Sequence, residues 1–402
     1  MFEMPPYWDC PSCESSNTFG VLSVYEKSYK RRCKACRYSQ NFLLPDVDKK
    51  VIYVDQFVIS NLFHHRDNPD QESHHRPFWE ALDQQIQRLL LLQVAVFPHS
   101  NIHQDESLVS RNPDQYRDMY REIGGDTSFN NTEEIEKRQI YDFANSWLLG
   151  NGVPEQSFDV DEILHGRRNQ WLSLFRVEVN SDFSQFIEEI RTFRNSSSGQ
   201  LSDLFKIWGQ RKPSFQEVQK FEASSFGRTI NMQRGELLKK YIMEGDCSFN
   251  DIMSQANILN TILFQMFKDG GIEESECMRK ITNFFEWEGI EEIPSVRISS
   301  YLFAAIARKA SNGQKRPPNA GMLNDIRVIS NYLPYVDAMF LDKECASYLC
   351  EEPLQTDLNY GTQIFSLNNK DEFLAYLKTL EDGVDEETRR LVCDVYGGIP
   401  GD

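Results

Sequence analysis

The sequence predicts an α/β fold: a parallel β-sheet flanked by helices, with a large helical insertion and a small cysteine-rich unit in front. Three observations predict it. Short apolar runs alternate with amphipathic helical stretches at both ends of the chain, residues 113–310 carry mainly helical periodicity, and four cysteines stand as two CxxC pairs near the start. With 402 residues and 40% hydrophobic composition the chain is long enough for a large core plus a smaller module.

The first unit spans residues 1–45. Cys10 and Cys13 in "CPSC" and Cys33 and Cys36 in "CKAC" are separated by a 19-residue spacer, "FGVLSVYEKSYKRR" within it reading as β-rich. That spacing fits a tetrahedral four-cysteine zinc site in a ribbon, whereas redox use of one CxxC would leave the second pair unexplained. The interval from Glu26 to Arg37 holds six Lys and Arg residues against one acid, with Tyr25 and Tyr29 nearby. Such a strip suits phosphate and base contacts, and equally a solvated face on a structural knuckle or a docking surface for a protein partner.

Residues 46–402 form the main body. "VIYVD" reads as a buried strand ending on Asp55. A turn-rich segment, "HHRDNPDQESHHRP", precedes a helix at "FWEALDQQIQRLLLLQ", and "VAVFPHS" and "NIHQDESLVS" give a second strand and the start of a helix. The insertion runs from about 113 to 318. Loops are expected at "RNSSSGQ" (194–200) and "SNGQKRPPNAG" (311–321). Beyond it "LNDIRVISNYLPY" reads as a helix, "DAMFLD" as a strand, "CASYLCEE" as a short helix, "TQIFSL" as a strand, and the remainder as helical.

A net charge of −18 argues against a protein that coats nucleic acid through a general basic surface, but not against one that acts on it through a local path. No apolar run reaches the roughly 18 residues of a membrane span. The first residues lack a secretory leader, so the expected compartment is the cytoplasm, with the remaining cysteines as free buried thiols.

The candidate site is a set of acids at strand ends and helix starts: Asp55 in "VIYVDQF", Glu106 in "NIHQDES", Asp325 in "MLNDIRV" and Asp342 in "AMFLDKE". In parallel sheets ligands collect outside the carboxyl ends of strands. Carboxylates that converge there repel one another, and a hard divalent cation such as Mg²⁺ or Mn²⁺ is the usual reason to gather them. Asp105 competes with Glu106, which is preferred because it lies three residues after His103 on one helical face. His99 and His103 are read first as locally bonded histidines.

These segments resemble the PIN-like nuclease superfamily. "IYVDQFVISNL" is similar to the family's first strand and opening aspartate, "FPHSNIHQDES" to the segment supplying a glutamate, and "NDIRVISNYLPYVDAMFLDK" to its last helix, strand and terminal aspartate. The resemblance covers about 50–110 and 320–370. It implies Asp55, Glu106, Asp325 and Asp342 as Mg²⁺ or Mn²⁺ ligands in a metal-dependent nuclease whose metal-activated water attacks phosphorus; Asp337 either replaces or assists Asp325 or, as a strand-start residue, makes a backbone hydrogen bond. By resemblance RNA stands ahead of DNA as substrate. Gln56 departs from the family's common small polar residue, and the helical middle has no counterpart. The alternative from another class is a non-catalytic adaptor that binds nucleic acid or protein through the ribbon.

Overall fold

The computed structural model describes residues 5–68, 75–110, 112–173, 187–244 and 248–399. The chain begins with three antiparallel strands, β1 (Phe19–Tyr25), β2 (Ser28–Cys33) and β3 (Ser39–Leu43), in that spatial order. There follow β4 (Lys50–Val54), α1 (Gln56–Asp67), α2 (Arg76–Leu91), β5 (Ala95–Val96), α3 (Asn101–Leu108), α4 (Pro113–Gly124), β6 (Ser128–Phe129), α5 (Thr132–Leu148) and β7 (Leu164–His165). The helical middle continues with α6 (Ile187–Arg211), α7 (Phe215–Glu244), α8 (Phe249–Ile252), α9 (Gln255–Asp269), α10 (Glu274–Phe285) and α11 (Pro294–Ser311). The chain closes with α12 (Met322–Tyr332), β8 (Ala338–Phe340), α13 (Lys343–Leu349), α14 (Leu354–Asp357), β9 (Gln363–Phe365), α15 (Lys370–Asp382) and α16 (Glu386–Tyr396).

The central sheet is parallel throughout, in the order β5-β4-β8-β9. Its inner strands are covered on both faces, which is why Val51, Ile52, Tyr53 and Val54 read as one unbroken apolar run rather than an alternation. β4 and β8 are in register, Ile52 opposite Ala338 and Val54 opposite Phe340, so Asp55 and Asp342 emerge together at the carboxyl edge. Three further apolar clusters lie outside the main one among the described residues. One gathers helices of the middle region around Phe143, Leu263, Ile281 and Phe284. A second joins Val24, Tyr29 and Leu44 of the front unit to Leu92, Val392 and Tyr396 of the main body. A small third packs Cys10, Phe19 and Cys33 with Trp8 and Phe42.

Two ion-pair links fasten the helices around the sheet. Arg66 at the end of α1 holds Asp83 of α2 through both oxygens, at 2.8 and 2.5 Å, and Glu122 of α4 at 2.7 Å. Arg88 of α2 meets the buried Glu381 of α15 at 2.5 Å.

Several expectations fail. Residues 194–200 are not a loop but part of α6. Ser and Gly cost a helix under about 1 kcal/mol each, and Leu201, Phe205 and Trp208 are buried just beyond, where α6 packs on α11. The turn-rich stretch expected after Asp55 is helical through Asp67, since Leu62 and Phe63 are buried and Arg66 is clamped; residues 69–74 of that stretch lie outside the described residues. So do Cys247 and the first four residues of the chain. No helix among the described residues is long and apolar enough to cross a membrane.

Candidate metal centres

The front unit brings its four cysteines together. Cys10 Sγ lies 3.6 Å from Cys36 Sγ and Cys13 Sγ 3.8 Å from Cys33 Sγ, and all four sulfurs lie within 4.8 Å of one another. A tetrahedron with metal–sulfur bonds of about 2.3 Å has edges of about 3.8 Å, while a disulfide would need about 2.0 Å. The group can therefore hold zinc. Backbone amides of Ala35 and Cys36 point at Cys33 Sγ, at 3.3 and 3.4 Å, and the Ser12 amide at Cys10 Sγ, at 3.4 Å. These donors favour the thiolate form that a metal requires.

The basic strip on this unit is partly consumed by docking. Arg31 is fully buried, its guanidinium 3.4 Å from the centre of the Trp8 ring, and it donates to the carbonyls of Pro6, Phe19 and Asp394, the last at 2.7 Å on α16. Tyr29 is also buried and stacks on Phe42. Arg32, Lys34 and Arg37 remain exposed, with Lys34 over the Tyr7 ring.

The second group forms where β4 and β8 end. Asp55 is the residue before α1, and its amide donates to Phe340 O at 3.0 Å, which fixes it beside the end of β8. Asp342 caps α13 by accepting from the Cys345 amide at 2.7 Å. α12 contributes Asp325, and one ligand atom each from Asp325, Asp342 and Cys345 lies within 4.8 Å of the others. Asp55 and Glu106 are not part of that close group; Glu106 lies on α3, its Oε1 accepting at 3.2 Å from Nδ2 of Asn324, the residue before Asp325.

The charges of these groups act on one another. Burial, then Asp342 and Glu106, push the Asp55 carboxyl up to about 7; the amides of Gln56 and Phe57 oppose this without forming a full capping hydrogen bond. Burial and the charges of Asp325, Asp342 and Asp55 push the Cys345 thiol well above its usual range. The Tyr53 phenol, beneath the same acids, is raised for the same two reasons. Without a cation the group is thus under repulsion, and its oxygen donors fit a hard divalent ion, with Cys345 adding one soft donor.

Asp337 does not join the other four acids. It stands at the opposite, amino edge of the sheet, where it accepts from Lys50 Nζ and from the Val51 amide, both at 2.8 Å. Five residues of extended chain, about 16 Å, separate it from Asp342. Its carboxylate serves strand pairing, as the strand-start reading of Asp337 expects. Asp105 interacts with Glu133 and Arg327, which leaves Glu106 as the acid toward the group.

The surrounding polar residues support rather than face the group. Gln56 accepts from Tyr120 OH at 2.7 Å, and the same hydroxyl reaches His103 O at 3.0 Å and contacts Ser107 Oγ, tying α1, α3 and α4 together. His103 Nδ1 accepts from the Ser100 amide at 3.1 Å in a reciprocal cap of α3; burial holds its pKa down to about 3, so it is neutral. His99 contacts Gln104 and stacks on Tyr120. Cys345 and Asn324 were missed from the sequence. The available signal for Cys345 was its place three residues after Asp342, where a capping aspartate returns to the backbone; for Asn324 there was none, because its partner is 218 residues away.

Compared with models of protein families, with curated proteins and with solved structures, the chain has no match.

Proposed function

We propose that the protein is a divalent-metal-dependent nuclease of PIN-like organisation, cutting phosphodiester bonds with RNA ahead of DNA as substrate. The observation that supports this reading is the close group of Asp325, Asp342 and Cys345 at the carboxyl edge of a parallel sheet, with the nearby Asp55 raised to about 7 by burial and by the charges of Asp342 and Glu106. A scaffold has no use for that repulsion. A bound Mg²⁺ or Mn²⁺ would supply charge neutralisation and an acidified water. The chain's own part is positional: the Asp342 cap sets one carboxylate, Asn324 orients Glu106, and the Tyr120–Gln56 link anchors the start of the helix behind Asp55. Asp55, held among like charges, would be ionised by the same cation and serve as its ligand.

The test is Mn²⁺-dependent cleavage of labelled single-stranded and structured RNA and DNA by wild type and Asp55→Asn. We expect cleavage by wild type and a loss of at least about a hundredfold in the variant. Cleavage of a small phosphate ester but of neither polymer would sink the nuclease reading. The exposed Arg32, Lys34 and Arg37 beside Tyr7 favour a second reading, a nucleic-acid adaptor built on the ribbon. Binding without cutting, unchanged by Asp55→Asn and lost on Cys33→Ser, would select it.

A further inference from the structure

One side of α7 packs on α9 and α11, and Gly227 lies so close to the Phe285 carbonyl that a Cβ there would collide with it. Its inner face is thereby fixed. The opposite face carries apolar side chains where a surface helix ordinarily carries charge: Phe221 is 60% exposed, Met232 58%, Ile242 71% and Met243 83%. Eleven residues make about three helical turns, so Phe221, Met232 and Met243 stand in one line along ~33 Å of helix. Ser225, Arg228, Glu236 and Lys239 lie between them on the same strip, the last three exposed. Arg228 donates to Ser224 and Ser225 of its own helix. Among the described residues neither Arg228 nor Glu236 makes an ion pair within the chain.

The strip is complementary to itself when reversed. If a second α7 is laid antiparallel with Met232 on Met232, Phe221 falls opposite Met243, each 11 residues from the centre, and Arg228 falls opposite Glu236, each four residues from it. Both ends then close with a sulfur–aromatic contact and both flanks with opposite charges. A parallel pair would set Arg228 on Arg228 and Glu236 on Glu236. A two-fold interface requires this kind of self-complementarity, and an unrelated partner would impose no such symmetry. The area also suffices: at on the order of 100–150 Å² each, the four apolar side chains offer roughly 500 Å² per copy, and a standard interface of about 800 Å² per partner is about 60% apolar. Gly235, beside the strip, has nothing of its own chain within 4 Å of a Cβ built on it, which leaves room for a second helix to approach.

We propose that the outer face of α7 is the interface of an antiparallel, two-fold dimer of this chain, centred on Met232. The dimer is independent of the nuclease reading, since neither the carboxylate group nor the four cysteines lie on α7.

The test is sedimentation velocity of the full chain from about 1 to about 100 µM in about 0.15 M salt, where a Debye length of about 8 Å screens the repulsion between two acidic chains. We expect wild type to pass from monomer to dimer over this range. Met232→Asp puts two carboxylates on the axis and should weaken the dimer at least about tenfold. Arg228→Glu and Glu236→Arg, taken singly, each create two like-charge pairs and should weaken it roughly tenfold; the two together in one chain restore the pairing and should return the affinity to within about threefold of wild type. All three positions are exposed, so far-ultraviolet circular dichroism should show wild-type helix content in every variant. A wild type that stays monomeric at the highest concentration overturns the proposal. A dimer indifferent to Met232→Asp and to both single reversals uses another face and overturns it too, and a double exchange as weak as the single ones shows that Arg228 and Glu236 do not meet and overturns the antiparallel pairing.

Discussion

Asp55→Asn should stabilise the protein when no divalent metal is bound, although it removes the acid on which the proposed activity depends. Asp55 titrates near 7 in the folded chain against an ordinary value of 3.8, through burial and the charges of Asp342 and Glu106. The folded state therefore holds the proton more tightly than the unfolded one. Stability falls as pH rises from about 4 to about 7, and above that the cost is complete. At about 1.36 kcal/mol per pH decade the cost of ionised Asp55 comes to about 4 kcal/mol. The neighbouring acids share the proton, so a relief of about 2–4 kcal/mol on substitution is the working figure. With unfolding entropy near 2.1 cal/mol/K per residue, a chain of this length melts about 1 °C higher per kcal/mol. Thermal melts in chelator should thus show Asp55→Asn about 2–5 °C above wild type at pH 8, with the two converging at pH 4. Saturating Mn²⁺ should raise the wild type and leave the variant nearly unmoved. A variant that melts below wild type at pH 8 without metal would refute the reasoning, because Asp55 would then be a stabilising helix cap and not a carboxylate under repulsion.

Other outcomes follow from the same contacts. Cys345→Ser exchanges the one soft donor for a hard one, so Cd²⁺ affinity should drop roughly tenfold in calorimetry while Mg²⁺ affinity stays level; equal losses for both ions would place the thiol outside the coordination sphere. Burial raises the Glu381 carboxyl, but hydrogen bonds from Arg88 and Gln85 outweigh it and bring it down to about 2. Its contribution is present above pH 4.5 and lost as pH falls toward 2; Glu381→Gln should cost about 3 kcal/mol in urea unfolding at pH 7 and nothing measurable at pH 2. Arg31→Ala leaves a void beside Trp8 and three carbonyls without their donor, which should cost about 3 kcal/mol and expose Trp8 to solvent, read as a red shift of its fluorescence. An unshifted spectrum in a folded variant would show that the front unit stays docked through its apolar contacts alone.

The docking of the front unit changes how its charge is understood. Along the chain, Arg31 is one of six cations in a short interval. In the fold it is sealed between the ribbon and α16, and the exposed cations lie in the β1–β2 turn (Lys27), on β2 (Arg32) and at the second CxxC (Lys34, Arg37). A count of charges could not make that distinction, because burial is a property of the surface opposite.

What the sequence determined by itself is whatever depends on neighbours along the chain. The period of the apolar residues marked β4, α2, α12 and β8, and the CxxC spacing marked a four-sulfur group, since both signals are complete within a few dozen residues. Asp55 and Asp342 were legible as strand-end acids for the same reason, and parallel pairing of β4 with β8 then sets them side by side. Tertiary structure alone decided the rest. It carried Asn324 to Glu106 and Cys345 into the acids, and sent Asp337 to the far edge of the sheet. It also kept 194–200 helical against local propensity. Each of these is fixed by a partner far away in sequence, and a partner's identity is set by packing, which no local pattern encodes.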